Sequence, residues 1–191
     1  MQPLPHDIAD LVTQFESTER DARALVANID EERGQWRPAP GAWSIAECLD
    51  HLARGNRAYL AAMQKPIEAA RRANRLRRRP AIAGPLGGWF ARSLEPPVKT
   101  KMKAPPTIRP RSAQSLHDAL DDFVTSHHDV RELLEANADL DLARIRFPNP
   151  FVPLLRFSLA SGFHILTAHA RRHLWQATRV RDAAVDALAA P

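Results

Sequence analysis

Along most of this chain apolar residues recur three and four positions apart, the spacing that gathers them onto one face of an α-helix. Ile8, Leu11, Val12, Phe15, Ala22, Leu25, Val26 and Ile29 follow it and predict a first helix from about His6 to Arg33, stopped by Gly34. A second helix should open at Ser44, because Ser44 and Glu47 stand at capping-box spacing and Trp43 can staple the entry. It should run to about Arg79, where Pro80 ends it. A third runs from Ser112 or Ser115 to Ala138, with Leu116, Leu120, Phe123, Val124, Val130, Leu133 and Leu134 as its apolar positions. A fourth, capped by Ser158 or Ser161, continues to about Ala184. No strand pattern competes and no repeat is visible.

Two stretches break the periodicity. From Pro80 to Arg111 there are seven prolines, at 80, 85, 96, 97, 105, 106 and 110, with Gly84, Gly87 and Gly88 between them. Only Trp89 to Leu94 could form a short helix. A connection this long is usually a functional cover or a disordered link. Leu86, Trp89, Phe90 and Leu94 favour a cover that packs down over one that touches a membrane. The second irregular stretch, Asp139 to Phe157, holds Pro148, Pro150 and Pro153. The expected architecture is therefore all-α. It is a four-helix bundle forming a single domain over residues 1–191, with 80–111 as an irregular, basic, proline-rich insertion between helices two and three.

The fourth helix carries the most informative residues, His169 and His173, one turn apart. Positions i and i+4 differ by about 40° around a helix, so the two imidazoles project side by side. Gly162, Ile165, Leu166, Gln176 and Val180 share their stripe, which should face the core, while Arg171, Arg172, Arg179 and Arg181 lie on other faces. Two imidazoles at this spacing can grip a divalent metal, and a third from another helix, such as His51, would complete a site with an open position. Read from spacing alone, the pair is more simply two core histidines bonded to side chains or water.

The chain has 191 residues and a 45% hydrophobic content, enough for a sizeable core. No apolar run is long enough to span a bilayer, and the N-terminus has no signal-peptide pattern. Cys48 is the sole cysteine, so no intrachain disulfide can form and a cytoplasmic setting is the simplest fit. The net charge is +5, and much of the excess is local: Arg71, Arg72, Arg75, Arg77, Arg78 and Arg79, then Lys99, Lys101, Lys103, Arg109 and Arg111. Such clusters attract nucleic acid, anionic surfaces or acidic substrates. No aromatic residues interleave the arginines and no DNA-binding motif accompanies them, which argues for a solvated helix end.

Trp43-Ser44-Ile45 with Glu47, Asp50-His51-Leu52, and the run from His169 through His173 to Gln176 together resemble the DinB-like superfamily, in element order over nearly the whole chain. That family includes metal-dependent enzymes that use low-molecular-weight thiols, and members of unknown function. The resemblance implies a four-helix bundle, often a homodimer, with one metal-ligating histidine on helix two and two on helix four. These map onto His51, His169 and His173. The insertion looks atypical for the family. With the resemblance, the reading is a metal-dependent enzyme in which a divalent ion, zinc or nickel, activates a thiol or water for transferase or hydrolase chemistry. Whether it is an enzyme stays open: the alternatives are a non-catalytic metal-binding or interaction bundle of the stress-response type and, behind that, anionic-surface or nucleic-acid binding through Arg71–Arg79.

Other residues could support the site. Glu47 and Asp50 could orient an imidazole or assist proton transfer, although Glu47 also belongs to the capping box. Cys48 could line the site, but a small buried residue is the plainer reading. One of His127 and His128 should be exposed and the other contact the core, while His164, about 140° from His169, should point away. The four tryptophans read as packing residues rather than a stacking platform.

Overall fold

The computed structural model describes residues 3–98, 103–111, 114–152 and 154–188. Among the described residues the chain is mostly helical, with one two-stranded sheet. Its elements are α1 (His6–Val26), α2 (Glu31–Gln35), α3 (Ile45–Arg72), α4 (Pro85–Leu94), a 3-10 turn at Pro106–Ile108, α5 (Leu116–Glu135), β1 (Arg146–Pro148), β2 (Arg156–Ser158) and α6 (Leu159–Leu188). The long helices α3 and α1 each pack against both α5 and α6. Lys99, Lys101, Ser112 and Pro153 lie outside the described residues.

Several boundaries differ from the periodicity. The first helix stops at Val26 rather than Arg33, because the Asp30 side chain accepts from Arg33 N at 2.8 Å and starts the separate helix α2. Gly34 is not a stop. It is buried within α2, where a Cβ would stand 2.6 Å from Leu116 Cδ2, so the position needs glycine for close packing. The second predicted helix, α3, opens at Ser44 with the expected capping box. It ends at Arg72, well before Pro80. Asn74 adopts a left-handed φ of 48°, and the N–H groups of Arg75 and Asn74 return to the carbonyls of Ala70 and Arg71. This is the Schellman ending, built here on asparagine.

Residues beyond that ending are tied down. Leu76 bridges Leu140, and Arg77 N donates to Asp139 O at 2.7 Å. Asp7 of α1 accepts from Arg77 Nη2 at 2.5 Å and from Ala81 N at 2.6 Å. Helix α4 then docks on α6. Gly87 approaches so closely that a Cβ would lie 2.3 Å from Ser161 Oγ, and Phe90 stacks on Phe157 at 6.0 Å. The region read as irregular thus holds a ten-residue helix that packs down through Ala91 and Leu94, while Leu86 and Trp89 stay exposed. The region read as strand-free holds the antiparallel pair β1–β2, with the buried Phe147 and Phe157 as register partners. Three-residue strands bounded by prolines are too short to show a two-residue period.

Ser115 caps α5, and Ser158 caps α6 by accepting from Ser161 N at 3.1 Å. The buried apolar residues fall into two clusters, one around Phe15, Met63, Phe147 and Phe163, the other around Leu25, Leu49, Phe123 and Leu174. Polar residues separate them on three helices: Thr18 on α1, Asn56 on α3, and Ser126 with His127 on α5. His127 Nε2 bonds Thr18 Oγ1 at 2.8 Å, and Asn56 Nδ2 donates to Ser126 Oγ at 3.1 Å. Among the described residues no helix is long and apolar enough to cross a membrane.

Candidate metal centre

The capping box fixes where α3 begins, and His51 follows two turns into the helix. His169 and His173 come from the middle of α6, which packs against α3. The three rings converge, with centroids 4.9 Å (His51–His169), 4.5 Å (His51–His173) and 4.7 Å (His169–His173) apart, and one nitrogen of each lies within 4.8 Å of the others. His51 and His173 are buried and His169 is partly buried. Helix α3 passes close to His169 at Gly55, where a Cβ would come into van der Waals contact with His169 Cε1 at 3.4 Å.

Two neighbours select the ring nitrogens. His51 Nδ1 lies 2.7 Å from the carbonyl oxygen of Ile108, an acceptor only, so Nδ1 carries the proton and Nε2 keeps its lone pair. His173 Nδ1 lies 3.1 Å from Gln176 Oε1 and is protonated for the same reason. This arrangement, the distal nitrogen bonded outward and the other left bare, is how metal-ligating histidines are normally held. His51 Nε2 stands 3.0 Å from His169 Nε2. Zinc–nitrogen bonds of about 2.0–2.1 Å place two tetrahedral ligands about 3.3 Å apart, so this spacing suits one shared ion.

Burial favours the neutral form of all three rings. Burial lowers the pKa of His169 and His173 well below the ordinary imidazole value, neighbouring imidazoles and the Arg172 guanidinium add to the effect, and at His173 the Gln176 hydrogen bond partly opposes it. Burial also lowers that of His51, partly opposed by the Ile108 hydrogen bond and the Asp50 charge. Neutral imidazole is the form that binds metal. Arg172, assigned to another face by the helical spacing, is in fact buried, and burial lowers its own pKa. Trp43 closes one side, its ring 4.7 Å from His51 and 5.6 Å from His173.

The remaining candidates have other partners. Glu47 accepts from Ser44 N at 2.9 Å and holds Arg37 through both oxygens, so its carboxylate is committed to the helix start. Asp50 Oδ2 accepts from Arg111 N at 2.7 Å. Cys48 is fully buried in the apolar cluster and burial pushes its thiol pKa up, which leaves it inert. His127 is buried and His128 exposed, and His164 faces Ala81 O at 3.2 Å.

The periodicity did not identify Ile108, whose carbonyl orients His51. The one available signal was an apolar residue isolated between Pro106 and Pro110. Gln176 stood in the recognised run without a role. Two clefts, of about 650 Å³ and 390 Å³, lie elsewhere; the larger reaches α3 at Asp50 and Arg54, and neither is lined by the three histidines.

The site sits inside a recognisable family. A model of the DinB superfamily matches residues 14–177, most of the chain, and the protein belongs to that superfamily. No curated protein and no solved structure matches it.

Proposed function

We propose that this chain is a metal-dependent enzyme in which His51, His169 and His173 hold one divalent ion, zinc or nickel. The observation that carries the reading is the convergence of three imidazoles, two with Nδ1 tied outward. A bound ion with an open position would lower the pKa of a thiol or water, as zinc brings bound water to about 7. The protein's share is to keep the imidazoles unprotonated, fix their tautomers and screen one side of the site with Trp43. Low-molecular-weight thiol transfer and hydrolysis are the two reactions this serves. The reading extends to a four-helix bundle of the DinB type, one domain with an insertion between α3 and α5, working as a cytoplasmic homodimer. The test is to assay metal-loaded protein for thiol transfer and amide hydrolysis. Activity in one of them that His169→Ala abolishes supports the role, and full activity in that variant contradicts it.

A second reading is a non-catalytic metal-binding bundle, favoured by the burial of His51 and His173. Cobalt-loaded protein separates the two. A visible spectrum that shifts on adding a thiol reports an open position, and an unresponsive spectrum a closed site. Binding of anionic surfaces through Arg71–Arg79 has less support. Arg71 pairs with Asp139 at 3.1 Å and Arg77 with Asp7 at 2.5 Å, so these two arginines already serve the fold.

A further inference from the structure

Residues 103–111 form a strap across α3, and three anchors, at 108, 109 and 111, hold it there. Ile108, buried, offers its carbonyl to His51 Nδ1 at 2.7 Å. Arg54 Nε donates to the Arg109 carbonyl at 3.1 Å. Arg111 N donates to Asp50 Oδ2 at 2.7 Å. Asp50 and Arg54 also lie 3.8 Å from each other, so the two clamps form one unit. His51 is the member of this row that turns its other nitrogen to His169.

We propose that Asp50 and Arg54 are positioning residues for the metal centre: by clamping the strap to α3 they hold the Ile108 carbonyl on His51 Nδ1 and aim the bare Nε2 at the triad. The inference rests on the proposed metal site, but its tautomer component does not need a metal. The physical reason is local. A neutral imidazole free in solution exchanges between its two tautomers, and a carbonyl fixed at hydrogen-bond distance from Nδ1 accepts from only one of them. The Ile108 carbonyl is held there by its neighbours on the strap, so loosening either clamp should release it. Coupling of this kind is reciprocal, so an ion on Nε2 should tighten the strap.

The test uses the full chain with ¹⁵N-labelled histidine, metal-free at neutral pH, as parent, Asp50→Ala, Asp50→Asn and Arg54→Met. The parent should show His51 as the Nδ1–H tautomer. Asp50→Ala should move it toward Nε2–H and weaken Zn²⁺ binding about tenfold or more, the range seen when an orienting partner of a metal-ligating histidine is lost. Asp50→Asn keeps an oxygen for the Arg111 amide and should bind Zn²⁺ closer to the parent than Asp50→Ala does. If buried Asp50→Ala does not fold, Arg54→Met, which keeps its apolar stem, decides alone. An unchanged tautomer in Asp50→Ala or Arg54→Met, whichever folds, or an Asp50→Asn as damaging as Asp50→Ala, overturns the proposal. A parent that takes up no zinc overturns the metal reading instead, and the tautomer populations then decide this inference without it.

Discussion

His173 Nδ1 lies 3.1 Å from Gln176 Oε1, one helical turn further along α6. The contact holds the imidazole by its far side and leaves Nε2 for the cluster. Gln176→Leu should therefore weaken zinc binding by about ten- to a hundredfold, the usual consequence of losing such a partner. Gln176 is only half-buried, so thermal stability should change little. Chelator competition alongside a melting curve measures both, and an unchanged affinity would remove Gln176 from the site.

Gly55 lets α3 pass close to His169. In Gly55→Val the Cβ, which would already stand 3.4 Å from His169 Cε1, carries two methyl groups toward the ring. Helix propensity alone does not penalise this change, since glycine is the poorest helix former after proline. The expected result is a folded protein with impaired metal uptake, read by circular dichroism and elemental analysis. Full uptake would mean that His169 has room to spare.

Docking of α4 depends on Gly87. A Cβ there would lie 2.3 Å from Ser161 Oγ and 2.4 Å from its Cβ; the hydroxyl can rotate away, but the Cβ is fixed to the backbone. Gly87→Ala should cost about 1–3 kcal/mol, the usual range for overpacking. Urea unfolding checks it, and an unaltered midpoint would show that α4 does not contribute to the stability of the fold.

His127 makes stability pH-dependent. Burial is the main cause that lowers its pKa to about 4, and the Arg131 charge adds to this while the Phe15 and Glu19 contributions oppose it. Asn56 Nδ2 faces Nδ1 at 3.4 Å and is itself a donor, so a second ring proton would have no acceptor there. The folded pKa is lowered, so the unfolded chain binds the extra proton first as pH falls. Stability should drop from about pH 6.5 downward and level off below about 4, with ~2 kcal/mol lost by pH 5 from this residue alone. His169 and His173 add to the same slope in metal-free protein. The measurement is the difference in slope between the parent and His127→Gln. Equal slopes would contradict the assignment.

The long helices and the His169–His173 pair were legible because both depend on short-range spacing, whereas His51, 118 positions from His169, was joined to the pair only through the family resemblance. Ser44 and Glu47 mark the start of α3, and residues four apart on α6 must share a face. The misplaced boundaries depended on backbone features that periodicity does not carry: Asp30 capping a new helix inside an apolar run, and Asn74 taking a left-handed turn. The partners of the site were hidden for a different reason. Ile108 acts through its carbonyl, which every residue possesses, across 57 positions of sequence. Arg172 is buried although residues of its type are almost always solvated. The arginine run also divided unexpectedly. Arg77 anchors Asp7 while Arg78 and Arg79 are exposed, so Arg77→Gln should lower stability where Arg78→Gln does not.

The central claim is that His51, His169 and His173 bind one ion together. Zn²⁺ titration of metal-free protein, with bound metal counted after gel filtration, tests it most directly. The account predicts one ion per chain in the parent and loss of that ion in each of His51→Ala, His169→Ala and His173→Ala. Their unfolding midpoints should stay near the metal-free parent's, because apolar burial rather than the ion supplies most of the core. A parent without stoichiometric zinc, or a single variant that retains it in full, would contradict the account.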